Sequence, residues 1–458
     1  MPEDASGVFA AALVASRPAV LATVAEFARE LSVPLPGTLY VSSWSPLLKE
    51  GTLRPYVTLE SVSNKSTERI SLLLERAWWY TFNDSGTEEV VASTADLLTG
   101  NVLAALDVLT GALNLRANRN ATDPSGATLE RLRPDWWALD GSGALLVKAE
   151  HKRRDDELGE AMQDLVEKMS VWNPVALRGL PFLPCYAVGG RWLVFCAVYQ
   201  RYDSIVVEKV SAVYNMTVSA HRVLIVIHAF NLYKCMISLR SVMPQHVPSL
   251  YVDQVRTRGT IRVLDDHVLK KCVPADDDVY VAVASLPFAV TISRVPNGEE
   301  AKCASGCVQL KITPVCLERL PLNETELKTA IKCVLSALAV FHEGDFVHRD
   351  IRWPNLLYDM GASGRSRWLL ADFELAGKIG SELPVEYRTS LEMPPEARIG
   401  SALSAAADVW QVGMLVKVWK IGILSELAEG FVHNLTCYNA RERPSAREAL
   451  AHRWLAVA

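Results

Sequence analysis

The chain has 458 residues, half of them hydrophobic and 22% charged, with a formal net charge of −5. That length suits two or three domains with sizeable cores. No half of the chain is strongly basic, which excludes binding to nucleic acid by bulk charge alone and leaves only a local patch for that role.

The nine cysteines are odd in number and scattered, without paired zinc-ligand spacing, and point to a reducing, intracellular compartment. Glu3 and Asp4 precede the apolar run from Val8 to Val14, so no signal peptide is expected. The most apolar later stretch, Arg222 to Leu239, is interrupted by His228, Asn231 and Lys234, and no membrane partner is expected.

Phe9, Leu13, Val20, Val24, Phe27 and Leu31 form a helical stripe over 8–31, stopped by Pro34 and Pro36. Helices are predicted over 67–80 and 88–113, with residues 1–84 as a helical N-terminal elaboration. Glu88 and Glu89 open the second of these, where the plain reading is favourable placement against the helix dipole. Glu89 is also kept as a candidate site residue.

Residues 85–245 read as an α/β domain. Arg133 to Leu139 forms a strand, Asp140-Gly141-Ser142-Gly143 a turn, and Ala144 to Lys152 the returning strand. A four-residue turn sets Leu139 opposite Ala144 and Asp135 opposite Lys148. Alternation then gathers Lys148, Glu150 and Lys152 on one face, with Asp135 beside them across the ladder. A helix follows over 155–170 with Leu158, Met162, Leu165 and Met169 inward and Gln163 beside that stripe. Two strands, Phe182 to Val188 and Arg191 to Val198, complete the sheet.

Pro134-Asp135 … Glu150-His151-Lys152 resembles the core of the PD-(D/E)XK nuclease superfamily, whose fold is the restriction-endonuclease-like α/β sheet. The resemblance implies that Asp135 and Glu150 hold Mg²⁺ or Mn²⁺ against a phosphodiester of DNA, with Lys152 stabilising charge there and Gln163 near the site. Arg131, Arg133, Lys152, Arg153, Arg154 and Arg191 would supply the local phosphate-contacting patch. The alternative is a solvated, charged edge of the hairpin.

Pro244 and Pro248 mark a domain join, and the chain beyond it divides into 246–320 and 321–458. The first part has no glycine-rich loop, and Lys270 in Val268-Leu269-Lys270-Lys271 is the best candidate for gripping nucleotide phosphates. No glutamate partner for it follows; Asp276, Asp277 and Asp278 are too short. A helix over 324–342 leads into Val347-His348-Arg349-Asp350-Ile351-Arg352-Trp353-Pro354-Asn355. Short strands at Leu356 to Tyr358 and Trp368 to Leu370, joined by a turn with Gly361 and Gly364, bring Asp350, Asn355 and Asp372 to one end. One carboxylate can take a hydroxyl proton, while a carboxamide and a second carboxylate can hold Mg²⁺ on nucleotide phosphates.

This segment resembles a protein kinase catalytic loop followed by an Asp-Phe-Gly-type motif. Met393-Pro394-Pro395-Glu396 is similar to the kinase Ala-Pro-Glu segment, Asp408 to Gly413 to the start of the central helix, and Arg443 to the arginine that pairs with that glutamate. The resemblance implies an α+β bilobal fold with a reduced N-lobe, ATP as cofactor, and a protein substrate phosphorylated with Asp350 and Arg352 at the reacting atoms. Arg352 replaces the usual catalytic-loop lysine and Glu374 the usual glycine, so the alternative is a kinase fold without activity. Thr389 and Ser390 are candidate phosphorylation points, or ordinary exposed hydroxyls.

A nuclease-like domain fused to a reduced kinase-like domain is similar to the toxin regions of Crinkler-type effectors. That similarity implies a cytotoxic virulence effector acting on DNA in a host nucleus. The alternatives are a non-catalytic protein that binds DNA and a partner, or an active kinase carrying a structural α/β domain. Substrate, DNA preference and oligomeric state are not fixed by the sequence.

Overall fold

The computed structural model describes residues 5–19, 21–36, 39–41, 46–53, 57–59, 68–82, 87–121, 123–125, 127–128, 132–169, 172–202, 204–244, 247–256, 259–295, 307–360, 366–382, 393–398 and 403–456. The chain divides into two compact units, Met1–Gln245 and His246–Ala458.

The first unit opens with α1 (Ala5–Ala15) and α2 (Val24–Leu31), which the stripe over 8–31 had joined into one helix. Pro18 lies between them, and Thr23 starts α2 afresh by accepting from Glu26 N while Glu26 reaches back to Thr23 N. Such a reciprocal cap stabilises a helix start by about 1 kcal/mol. Phe9, Leu13, Phe27 and Leu31 are buried all the same, because both helices turn their apolar side inward. A short parallel pair, β1 (Leu39–Val41) and β2 (Val57–Leu59), precedes α3 (Glu68–Trp79).

The helix expected over 88–113 is two, α4 (Glu88–Leu98) and α5 (Gly100–Thr110), broken at Thr99. The Thr99 hydroxyl donates to Ala95 O at 2.6 Å, a local bond that competes with helix continuation. A Cβ at Gly100 would sit 3.2 Å from the Trp136 ring, so the bend lets the helix start pass close over the sheet.

That sheet runs β3 (Arg116–Arg119), β4 (Trp136–Leu139), β5 (Leu145–Lys152), β6 (Leu183–Gly189), β7 (Trp192–Arg201) and β8 (Ser204–Lys209), with β9 (Tyr214–Asn215) beside β7. Every pairing is antiparallel except β5 with β6, which α6 (Leu158–Glu167) connects. Gly189 permits α6 to begin against the end of β6, since a Cβ there would fall 2.4 Å from Leu158 N. The 24-residue α7 (Ser219–Val242) is the core helix on the other face of the sheet, with His228 stacked on Phe195 at 5.5 Å.

α7 is long and apolar enough to span a membrane, as is the stretch Glu88–Thr110, but α7 is almost wholly buried in this fold. Its polar residues tie down neighbouring ends. Arg222 donates to Ala77 O, Trp78 O and Met216 O, Asn231 to Leu31 O and Val33 O, and Ser238 to Pro18 O. The Ala77, Trp78 and Leu31 carbonyls lie in the last turns of α3 and α2, where helix ends leave them open, and the others lie in loops.

The second unit begins with a five-stranded antiparallel sheet made of β10 (Gln254–Arg256), β11 (Gly259–Val263), β12 (Val268–Cys272), β13 (Thr291–Arg294) and β14 (Val308–Thr313), ordered β10-β11-β12-β14-β13. The seven-residue α8 (Asp277–Val283) lies between β12 and β13 in the chain. The rest is built on α9 (Glu324–Glu343), whose Asn323 cap accepts from Glu326 N. Around it lie β15 (Leu317–Glu318), β16 (Phe346–Val347), β17 (Leu356–Asp359), β18 (Arg367–Leu370) and β19 (Gly377–Lys378). The helices α10 (Pro395–Arg398), α11 (Ala405–Val418), α12 (Glu426–Leu435), α13 (Ala446–Leu450) and α14 (Arg453–Ala456) complete it. Leu327, Ile331, Val334, Leu338 and Phe341 of α9 are buried in one core with Val409, Val412 and Val416 of α11 and with Phe431 and Trp454. Full burial of each such side chain stabilises the fold by about 1.5–3 kcal/mol.

Candidate active sites

In the first unit the β4–β5 register differs from the expected one, and the site survives the difference. Trp136 pairs with Ala149 and Trp137 with Lys148, after an irregularity between Ala138 and Leu139. One step further along that register, Asp135 comes opposite Glu150 instead of Lys148. Beyond that irregularity the slip is two residues, and an even slip keeps a side chain on its face. Asp135, Lys148, Glu150 and Lys152 therefore do share one side of the sheet, the side on which Lys152 meets α6.

The side chains are then sorted by partner. Asp135 Oδ2 accepts from His151 N at 2.6 Å. Glu150 is fully buried; one carboxylate oxygen takes the ammonium of Lys168 and the other has no hydrogen-bond partner among the described residues. Burial, then the Asp135 charge, push the Glu150 carboxyl up to about 8. The Lys168 ammonium is also 4.0 Å from Asp135 Oδ1 and 3.1 Å from Arg133 O. Lys148 is wholly buried beside them, its Nζ without a partner among the described residues, and burial depresses its pKa against the opposing pull of Glu150.

Lys152 is not with this group. Its ammonium sits 2.8 Å from Asp164 and 3.0 Å from Glu160, both on α6. Burial works against its charge, but those carboxylates outweigh burial and hold its pKa above the ordinary lysine value. Gln163 points outward and gives its amide to Glu167 at 3.1 Å. Glu89 is exposed in the first turn of α4 and is not brought to the site.

The α4 carboxylate that does turn toward the sheet is Asp96, 3.1 Å from Arg119 and raised to about 6 by burial. It lies on the Tyr186 side, where His151 is buried and held neutral, its pKa lowered to about 3 by burial with Arg119 and Lys168 adding. Among the described residues no group of three His, Cys, Asp or Glu is placed to hold a metal, so Asp135 and Glu150 stand as a pair. The expected basic patch is thinned: Arg154 pairs with Asp156 and Arg191 with Asp155, leaving Arg133 and Arg153 exposed, while Arg131 lies outside the described residues.

Sequence reading missed Lys168. The usable signal was its place at the C-cap of α6, three residues after buried Leu165 and four after Asp164.

In the second unit β17 and β18 pair as expected, Leu356 with Leu370 and Tyr358 with Trp368; the Gly361/Gly364 turn lies outside the described residues. The loop before β17 is clamped from α11. Asp408 accepts from His348 N and Arg349 N, both at 2.8 Å, and from His342 Nε2 at 2.9 Å. Burial pushes its carboxyl up, but the hydrogen bond and charge of His342, with His348 adding, outweigh burial and leave it below the ordinary value. Gln411 receives Ile351 N and donates to Arg349 O.

Held this way, Asp350 accepts from Asn355 Nδ2 at 3.0 Å and lies 3.2 Å from Arg352 Nε. Arg349 and Asp372 both adopt left-handed backbone, with φ of 71° and 67°, a strain concentrated at functional sites. Phe373 is buried against His348 and Phe341, with ring centroids 4.8 and 5.7 Å apart, and this anchors Asp372. Lys270 of β12 reaches Asp372 Oδ1 at 2.9 Å. Its second carboxylate is Glu374 at 2.7 Å, and not a residue of α8. Asp277 pairs with Arg294, and Asp278 lies 3.7 Å from Lys378. Arg443 grips Glu396 with two bonds, of 2.6 and 3.0 Å. Thr389 and Ser390 lie outside the described residues.

The donor set Asn355 and Asp372 beside Asp350 suits a hard cation on phosphates. The pair Asp135 and Glu150, facing an ammonium and keeping one buried oxygen without a partner among the described residues, suits one as well.

Comparison with known proteins adds to this geometry. Residues 305–424 match the protein kinase domain family, whose members use ATP and Mg²⁺ in general. The chain is 27% identical to Crinkler effector protein 8 of Phytophthora infestans over 341 residues, 73% of this chain and 55% of that protein. It is 30% identical to the probable serine/threonine-protein kinase fnkB of Dictyostelium discoideum over 105 residues, 22% of this chain and 19% of that protein. It is 26% identical to the calcium/calmodulin-dependent protein kinase cmkA of Emericella nidulans over 169 residues, 29% of this chain and 40% of that protein. The chain spans about half the length of the Crinkler effector it matches. Its C-terminal unit carries a protein kinase domain, in a chain similar to a Crinkler effector over most of its length.

Proposed function

We propose that the chain is a two-part effector enzyme: a Mg²⁺-dependent DNA endonuclease unit of restriction-endonuclease-like fold joined to a Ser/Thr-type protein kinase, acting inside a host cell and on DNA of its nucleus. The run β4, β5, α6, β6 and β7 after the helices supports the helix, strand, strand, helix, strand, strand order on which the nuclease resemblance rests, with β3 as an added strand beside β4. The observation that carries the nuclease reading is Asp135 and Glu150 on one face, next to buried polar atoms of Glu150 and Lys148 that no group among the described residues satisfies. Unpaired buried polar atoms are costly, and an ion or water that they hold would offset that cost.

Asp135 and Glu150 would hold the cation, whose contribution is to polarise the phosphodiester and acidify water. Lys168, freed from Glu150, would face the phosphate. In the kinase unit Asp350 takes the proton of the substrate hydroxyl, Arg352 offers its guanidinium to the transferring phosphoryl group, and Lys270 orients the nucleotide phosphates. Asn355 and Asp372 would hold the Mg²⁺.

Plasmid nicking by the full chain with Mg²⁺ tests the first half, and Glu150→Ala must abolish it; equal nicking by both sinks the assignment. Radiolabel transfer from ATP, lost in Asp372→Ala, tests the second. A binding protein without nuclease chemistry is the second reading. It is favoured by the Lys168 ammonium already seated on Glu150 and by the lack of a third acidic ligand among the described residues.

A further inference from the structure

Lys270 has two carboxylate partners, and one of them stands where the kinase resemblance expects glycine. The expected partner would come from the helix after β12. That segment, residues 273–290, contains no glutamate at all. α8 is seven residues long and turns Val279 and Val283 inward. Its two aspartates are exposed and engaged elsewhere, with Arg294 and Lys378.

Glu374 fills the gap from the opposite direction. Its Oε1 is 2.7 Å from Lys270 Nζ, and its side chain is 6% exposed. It sits in the single 3-10 turn Phe373–Leu375, pinned by the burial of Phe373 and Leu375 on either side. Cys272 Sγ donates to the same oxygen at 3.5 Å, and the other oxygen is buried without a hydrogen-bond partner among the described residues. A buried carboxylate is retained only when paired, and the pairing cation here is Lys270.

We infer that Glu374 is the positioning residue of the phosphate-gripping lysine, a role transferred from the helix after β12 to the turn after Asp372. When Asp372 turns to a metal, Glu374 is the carboxylate among the described residues that keeps Lys270 in place. The residue that reads in sequence as damage to the loop is then the compensation for the short α8. This rests on the kinase reading of the second unit.

The test uses the full chain and reads both binding of Mg²⁺–AMP-PNP, by calorimetry, and kcat/KM for ATP. E374Q keeps the shape and removes the charge; kcat/KM is expected to fall about tenfold to a hundredfold, the equivalent of one charged hydrogen bond. E374D, with the charge kept, must lose less than E374Q. Tyr280 of α8 lies within electrostatic reach of Cys272 and Asp372. The double variant Y280E/E374Q, which returns a carboxylate to the helix, should therefore recover at least half of the loss on a logarithmic scale. Wild-type kcat/KM in E374Q, or equal losses in E374D and E374Q, overturns the inference. So does a double variant that binds AMP-PNP and melts like wild type but recovers nothing. A wild type that binds no AMP-PNP sinks the kinase reading itself, and this inference with it.

Discussion

Lys168 sets its ammonium on Glu150, while Lys152, two residues from Glu150 along β5, is turned to Asp164 and Glu160. The two lysines therefore have different work. Lys168→Ala should lower Mg²⁺-dependent nicking by about a hundredfold, the usual loss when one preorganised charge at the reacting phosphate is removed. Lys152→Ala should cost less than about tenfold, since it breaks an ion pair with partly exposed partners. Nicking time courses of both variants decide it. A larger loss in Lys152→Ala would return the catalytic part to that residue.

In the kinase unit Asp350 and Asp372 are both near Asn355 but are held differently, and their variants should separate. Asp372 faces Lys270 from the turn after β18, Asp350 lies on the loop clamped by Asp408. Asp372→Asn should remove the Mg²⁺-dependent part of the thermal shift by AMP-PNP. Asp350→Asn should keep that shift while phosphoryl transfer falls by about 10²–10⁴, the range for a general base. Loss of nucleotide binding in Asp350→Asn would mean that this carboxylate holds the metal instead.

What was legible in the sequence was chemistry packed into consecutive residues. His348-Arg349-Asp350, Asn355 and Asp372 sit within one loop and one hairpin, so order alone brings them together. The partner of Lys270 is another matter: Asp372 is 102 residues away, and Glu374 looks like a lost glycine until β12 is laid beside its turn. In the first unit the face shared by Asp135 and Glu150 was legible because alternation survives an even register slip. Lys168 was not, because a motif read along β5 ends at Lys152, and only the path of α6 returns a second lysine to the strand. Helix breaks at Pro18 and Thr99 were hidden by stripes that continue across them.

Asp408 gives the second unit a pH dependence with a definite sign. Its folded carboxyl lies below the ordinary 3.8 despite complete burial, because His342 and the His348 backbone hydrogen-bond to the ionised form. A depressed acid contributes stability that is whole above its unfolded value and is lost as pH falls through the folded one. Thermal melts of the full chain followed from pH 6 down to 3 should therefore show the kinase unit weakening below about pH 4. In Asp408→Asn that added slope should vanish and the melting temperature at pH 7 should drop. A variant with the wild-type slope would mean that another carboxylate controls acid unfolding.

Arg443 and Glu396 form a two-pronged pair whose halves are not equivalent. The Arg443 side chain is wholly buried and also donates to Cys437 O, Ala406 O and Tyr438 O at 2.8, 3.0 and 3.3 Å. Removing it leaves a carboxylate and three carbonyls short of a donor, so Arg443→Ala should destabilise the kinase unit by about 3–5 kcal/mol. Removing Glu396 leaves the guanidinium with its three carbonyls, and Glu396→Ala should cost about 1–3 kcal/mol. Arg443→Lys cannot rescue, because a single ammonium does not reach two carboxylate oxygens and three carbonyls at once. Urea unfolding of the full chain, with the kinase-unit transition resolved, measures all three. Equal costs for the two alanine variants would show that the ion pair dominates and that the carbonyl contacts of Arg443 add nothing.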